Sequence, residues 1–249
     1  SMNSVALVTG ASRGIGRATA LLLAQQGYAV GVNYLNNDTA AQSVIDEIHQ
    51  AGGKAIALRA DISDEEQVVV MFRQLSAALG PITALVNNAG ILFQQTTLEN
   101  LSAERINKVL STNVTGYFLC CREAVKIMSH RHGGKGGAIV NVSSAASRLG
   151  APGEYIDYAA SKGAVDTLTT GLALEVAAYG IRVNCVRPGL IYTEMHASGG
   201  EPGRVDRVKA NLPMQRGGQP EEIAQAISWL LSDSASYATG SVLDLAGGR

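Results

Sequence analysis

The sequence predicts an α/β protein: a doubly wound, parallel sheet of about seven strands with helices on both faces. Three observations predict it. Short apolar, β-branched runs recur along the 249 residues, and all but the last are followed by a longer segment that reads mainly as helix. The runs are apolar on both faces, as strands buried between two helix layers are. A glycine-rich turn joins the first run to the first helix.

The runs are VALVT (5–9), YAVGVNY (28–34), KAIALRA (54–60), ITALVN (82–87), AIVNVS (138–143), IRVNCV (181–186) and SVLDL (241–245). Helix starts have local causes. Ser63 and Glu66 have the spacing of a capping box, and Pro220 with Glu221 and Glu222 suits a first helical turn. No repeat or Pro/Gly-rich linker divides the chain, so residues 1–249 read as one domain. Periodicity weakens over 196–218, and residues 190–218 form a candidate substrate lid within that domain.

Composition narrows the function classes. The chain is 46% hydrophobic and 16% charged with a formal net charge of −1, so it has a sizeable core and no basic field for nucleic acid or an anionic membrane. No apolar run approaches membrane-spanning length, and no charged-then-apolar leader opens the sequence. A cytoplasmic protein with a small-molecule partner is expected. Cys120, Cys121 and Cys185 lie in apolar segments without metal-ligand spacing and read as reduced thiols. His49, His130, His132 and His196 share no spacing with acids, so no metal site is expected.

The turn TGASRGIG (9–16) places Gly10, Gly14 and Gly16 between a strand and a helix. The first glycine permits the tight turn. The later ones admit a pyrophosphate and close helix packing, and the helix N-terminus attracts the anion. The second strand ends in VGVNYLNN, which offers Asn33 and Tyr34 where a site for NAD wants a carboxylate. Arg13 supplies a positive charge and Asn33 a neutral donor for a 2′-phosphate, which favours NADP over NAD.

In EYIDYAASK (154–162), Tyr158 stands four residues before Lys162, one helical turn away on the same face, whereas Tyr155 meets Ala159. A phenol titrates near pH 10, and a lysine held beside it is expected to lower that value toward useful proton transfer.

These motifs, with NNAG (87–90), Asn113 in STNVTG, VSS (142–144) and RPGLIYTEM (187–195), resemble the classical short-chain dehydrogenase/reductase family over essentially the whole chain and in the family's order. The resemblance implies one Rossmann-like domain that transfers hydride between a nicotinamide and a carbonyl or alcohol carbon. It casts Tyr158 as acid/base, Lys162 as its partner and ribose ligand, Ser144 as the holder of the substrate oxygen, and Asn113 as support for a water linking Lys162 to solvent. It adds Ser12, Ile15, Asp61, Ile62, Asn87, Ala89, Gly90, Pro188, Gly189, Ile191 and Thr193 to the cofactor contacts. Asn87 is also expected to stabilise the sheet, and Asp61 has a turn or cap as its alternative. A homotetramer or homodimer is implied by resemblance alone.

One departure from the pattern concerns the serine. Fourteen positions separate Ser144 from Tyr158, one more than in most relatives. An insertion in RLGAPGEYID leaves Ser144 at the strand end; otherwise Ser143 is the functional hydroxyl, since neighbours on a strand face opposite ways. Substrate choice stays open among 3-oxoacyl thioesters, sugars and small ketones, with Arg148, Leu149, Glu154, Tyr155, Tyr192, Met195 and His196 near the site. A binding protein that senses NADP(H) without chemistry, and a nucleotide-sugar epimerase or dehydratase, are the alternative functions.

Overall fold

The computed structural model describes residues 4–249. Seven parallel strands form one sheet in the order β3-β2-β1-β4-β5-β6-β7. Along the chain the elements are β1 (Val5–Val8), α1 (Gly14–Gln25), β2 (Ala29–Tyr34), α2 (Asp38–Gln50), β3 (Ala55–Arg59), α3 (Glu65–Leu79), β4 (Ala84–Asn87), α4 (Ala103–Leu110) and α5 (Gly116–Met128). There follow β5 (Gly137–Val142), α6 (Ala146–Leu149), α7 (Ile156–Val176), β6 (Ile181–Pro188), α8 (Met195–Ser198), α9 (Arg204–Val208), α10 (Pro220–Leu231) and β7 (Val242–Leu245). All seven expected strands form. Among the described residues no helix is long and apolar enough to cross a membrane.

Alternation along each strand builds two cores. Ala6 and Val8 of β1 join Val30, Val32, Val86 and Val140 beneath α1, α2 and α10. Leu7 joins Leu85, Ile139 and Val183 on the other face, under α3, α5 and α7. Successive side chains point to opposite faces, so each strand feeds both layers.

Several boundaries differ from the sequence expectation for physical reasons. β6 runs two residues further, through Arg187 and Pro188, because Cys185–Pro188 pairs with Val242–Leu245. The cap of α3 is Asp64, whose carboxylate accepts from Gln67 N at 3.1 Å, and not Ser63, whose hydroxyl donates to Asp61 Oδ1 at 2.6 Å. Pro220 opens α10 as expected, and Glu222 reaches back to accept from Gln219 N at 3.0 Å.

Asn33 turns out to be structural. It is buried at the end of β2, its Oδ1 accepts from Gly10 N at 3.1 Å, and its Nδ2 donates to Leu58 O at 3.1 Å and Ala60 O at 3.2 Å. Its amide therefore pins the glycine turn to β2 and β3 and has no donor left for a phosphate, which corrects that part of the sequence reading. Asn33→Ala is expected to lower stability by about 3 kcal/mol, since three buried backbone groups lose their partner. Urea unfolding measures it, and a loss below ~1 kcal/mol would contradict this account.

Candidate active site

Two contiguous clefts open at the C-terminal edge of the sheet, sharing Ile15, Asn88, Thr193 and Met195 in their walls. The larger, of about 730 Å³, lies over the ends of β1, β2 and β4; the smaller, of about 280 Å³, lies between the end of β5, the start of α7 and the segment after β6.

The glycine turn forms one wall of the larger cleft. Gly10 and Gly14 both have φ +58°, a left-handed conformation that favours glycine. A Cβ on Gly10 would also approach Ala89 Cα to 2.8 Å. Gly16 lies behind the wall, where a Cβ would strike the Gly10 carbonyl and the Asn88 amide, so its role is close packing of α1. Gly10, Ser12, Arg13, Gly14 and Ile15 line the cleft together with Asn33, Tyr34, Asp61, Ile62, Ala89, Gly90 and Thr193. Asp61 spends one oxygen on the turn to Ser63, whose N–H and hydroxyl both donate to it.

Asn87 lies outside both linings. It is fully buried and donates to Asn141 Oδ1 at 2.9 Å and Cys121 Sγ at 3.3 Å, tying β4 to β5 as expected of a sheet residue. Its neighbour Asn88 reaches the clefts instead, with Nδ2 donating to Gly10 O at 3.0 Å. Strand alternation is the signal that distinguishes them, since neighbours at a strand end face opposite ways.

Ser144, Tyr158 and Lys162 converge on the smaller cleft, with Pro188, Gly189 and Ile191 opposite. Ser144 and Ser143 differ as strand neighbours should. Ser143 is buried and donates to Lys162 O at 3.1 Å, which fixes α7 to the strand end. Ser144 lines the cleft beside Tyr158, whose phenol it draws toward ionisation, and accepts from Ala146 N at 3.0 Å. The loop before α7 carries left-handed residues Gly150, Ala151 and Gly153, a tight path within RLGAPGEYID.

Lys162 Nζ lies 5.6 Å from the Tyr158 ring centre, so the two side chains do share a face. The ammonium donates to Val142 O at 2.9 Å and to the Tyr117 hydroxyl at 3.3 Å. Burial dominates both groups, lowering Lys162 to about 8 and pushing the Tyr158 phenol well above its usual value. The lowering influences on Tyr158 are the Ser144 hydroxyl and the charge of Arg204. The depression of the phenol by Lys162 that the spacing predicts is not among the influences on it, and burial raises it instead. Arg204, in the weakly periodic 196–218 stretch, gave no signal in the sequence.

Asn113 sits behind the site in a π-turn, Ser111–Thr115, between α4 and α5. Its amide accepts from Ile91 N at 2.8 Å and donates to Ile91 O at 2.9 Å and Ser161 Oγ at 3.1 Å. The adjoining Gly116 is packed against Ile62, whose Cδ1 would lie 2.7 Å from an added Cβ.

Comparison with known proteins agrees with this geometry. A family model described as enoyl-(acyl carrier protein) reductase matches residues 10–249. The chain is 76% identical over 246 residues to "uncharacterized oxidoreductase YgfF" of Escherichia coli (strain K12), covering 99% of this chain and all of that protein. It is 41% identical to a 3-oxoacyl-[acyl-carrier-protein] reductase of Synechocystis sp., covering 98% of this chain and 96% of that protein. Among solved structures, a short-chain type dehydrogenase/reductase from Mycobacterium marinum superimposes with a TM-score of 0.92 at 36% identity, covering 98% of this chain and 94% of that one. With the Rossmann-like sheet, the glycine turn and the converging Ser144, Tyr158 and Lys162 already in view, these matches establish that the chain is an oxidoreductase of the classical short-chain dehydrogenase/reductase family.

Proposed function

We propose that the protein is an NADP-dependent carbonyl reductase or alcohol dehydrogenase with Tyr158 as its acid/base. The observation that carries this reading is the junction of the two clefts, where Tyr158 and Ser144 meet the edge of a cavity large enough for a dinucleotide. The residues present suit that group. The turn preceding α1 is free of Cβ atoms at Gly10 and Gly14, and the helix N-terminus faces the cleft. Beyond β2 the cleft is lined by Tyr34, Leu35, Asn36 and Asn37, with no carboxylate among them to repel a 2′-phosphate, and Arg13 stands across from them.

When bound, the nicotinamide supplies or accepts the hydride. The chain's own residues handle the oxygen and the proton. In reduction, Ser144 donates to the substrate carbonyl oxygen, and the Tyr158 hydroxyl gives its proton to that oxygen as negative charge develops. Lys162, held by Val142 O and Tyr117, keeps a positive charge beneath the phenol below pH of about 8 and is the ligand offered to the nicotinamide ribose. Asn113 braces Ile91 and Ser161 and keeps the backbone in order beside Lys162. The substrate is a carbonyl compound or alcohol that fits a cleft walled by Leu92, Leu149, Tyr155 and Met195.

Three outcomes test this. Tyr158→Phe is expected to lower kcat/KM by ~10²–10⁴ while NADPH binding, read by fluorescence, is unchanged; full activity in that variant overturns the mechanism. Arg13→Ala is expected to raise KM for NADPH ~10- to 100-fold and leave KM for NADH nearly alone, the value of one charge-assisted phosphate contact. Equal effects on both coenzymes would remove the case for NADP. Because burial raises the Tyr158 phenol, it stays protonated through neutral pH. Reduction should therefore be flat there, and alcohol oxidation, which needs the phenolate, should rise with pH. Ser144→Ala removes a lowering influence and should move that rising limb to higher pH, measured as kcat/KM against pH in both directions.

A further inference from the structure

The segment between β6 and α10 is built as a separate flap. It leaves and returns at one neck, where Gly218 N donates to Leu190 O at 2.8 Å and Tyr192 N to Gly218 O at 3.0 Å. It carries its own apolar cluster of Leu190, Val205 and Leu212, apart from the two main cores. Over the smaller cleft it places Met195, whose sulfur lies 3.8 Å from the Tyr158 hydroxyl.

It is attached across the cleft by Met195, which packs on the Leu92, Tyr155 and Tyr158 cluster, and by a set of polar contacts. Arg204 of α9 forks onto Glu154 in the loop before α7, with Nε to Oε2 at 2.8 Å and an Nη to Oε1 at 3.1 Å. Gln95 Nε2 bridges Glu154 and Glu201 at 3.3 and 3.1 Å, and Gln95 N donates to Gly199 O at 3.0 Å. Neither partner of the fork is freely solvated, with side-chain exposures of 14% and 23%. The guanidinium also stands 5.9 Å from the centre of the Tyr155 ring, which packs edge-to-face on Tyr158 with centroids 5.5 Å apart.

Resting on the reductase reading above, we propose that Arg204 is a positioning residue: its fork on Glu154 latches the 195–208 flap over the substrate cleft and sets a fixed cation behind the Tyr155–Tyr158 ring pair. A planar, bidentate guanidinium suits both tasks, because it holds one geometry on a carboxylate while presenting its face to an aromatic ring. The flap's own cluster lets it move as a unit, so its hold on the cleft rests on the Met195 contact and on the polar contacts, of which the Arg204–Glu154 fork is the bidentate one. The charge of Arg204 favours the ionised phenol. The other charged or titratable groups around the latch are Glu201, Arg207 and His196 on the flap, Glu154 and Tyr155 on the α7 side, Lys162 across the cleft and Arg249 of the C-terminal segment in its wall.

Three variants separate latch from charge. Hydrogen exchange of residues 195–208 reads the latch, and ultraviolet titration of the phenol, taken as the difference from Tyr158→Phe, reads the charge; neither requires turnover. Arg204→Met, Glu154→Gln and Arg204→Lys should each speed flap exchange by about tenfold, since all three lose the fork. The phenol should titrate at higher pH in Arg204→Met, and no higher than in the parent protein in Arg204→Lys and Glu154→Gln, which keep the cation. Unchanged exchange in all three overturns the latch. An equal upward shift in all three overturns the electrostatic role. A parent protein that keeps full activity as Tyr158→Phe sinks the reductase reading instead, whatever the flap does.

Discussion

Parallel pairing is the constraint on which the rest depends. With all seven strands running the same way, every strand-to-helix turn leaves the sheet at one edge. The order reverses between β1 and β4, so the chain departs to opposite faces from those two neighbours and a crevice opens where neither turn can cover it. The glycine turn follows β1, Asn88 to Gly90 follow β4, Ser144 follows β5 and Gly189 follows β6. Residues separated by well over a hundred positions are adjacent because topology delivers them to the same rim. α7 completes the site from the side, its first turn fixed by a pair between Asp157 and Arg105 of α4 at 3.0 Å.

Within that rim, burial and charge oppose each other. Tyr158 and Lys162 lie close together away from water, and a dry surrounding favours the neutral form of each. The phenol holds its proton more tightly and the ammonium less so. Helical spacing determines that the two groups meet, but not which way the balance falls. Ser144 and Arg204 pull the phenol back toward ionisation, one from the end of β5 and one from the flap. The Tyr158 phenol thus answers to burial, to Ser144 and to Arg204, and not to its helical neighbour Lys162.

What was legible in the sequence follows the same division. The strands were legible because buried parallel strands need continuous apolar, β-branched runs, and Val5–Val8 or Ile181–Val186 have no other comfortable place in an α/β fold. Their ends were less so: β6 continues through Pro188 because β7 lies beside it, a fact of tertiary pairing. Asn33 shows the limit for site residues. An asparagine at a strand end reads the same whether its amide faces a ligand or, as here, three backbone groups inside the protein. Counting along the chain does not separate Ser144 from Ser143, and the geometry distinguishes them through the Ser143 bond to Lys162 O.

The least legible part is the one that faces the substrate. Ser144, Tyr158 and Lys162 stand at a sheet edge and on a 21-residue helix, whose positions are set by extensive apolar burial. Met195, His196 and Arg204 stand on a flap whose placement depends on a neck of backbone bonds and a few side-chain contacts such as Arg204–Glu154. Strong periodic patterns record the first kind of constraint, while isolated polar contacts between distant segments leave no pattern at all. Chemistry is therefore readable from the motifs, and substrate choice is not, because the residues that select a substrate are held by interactions too few and too long-range to mark the sequence.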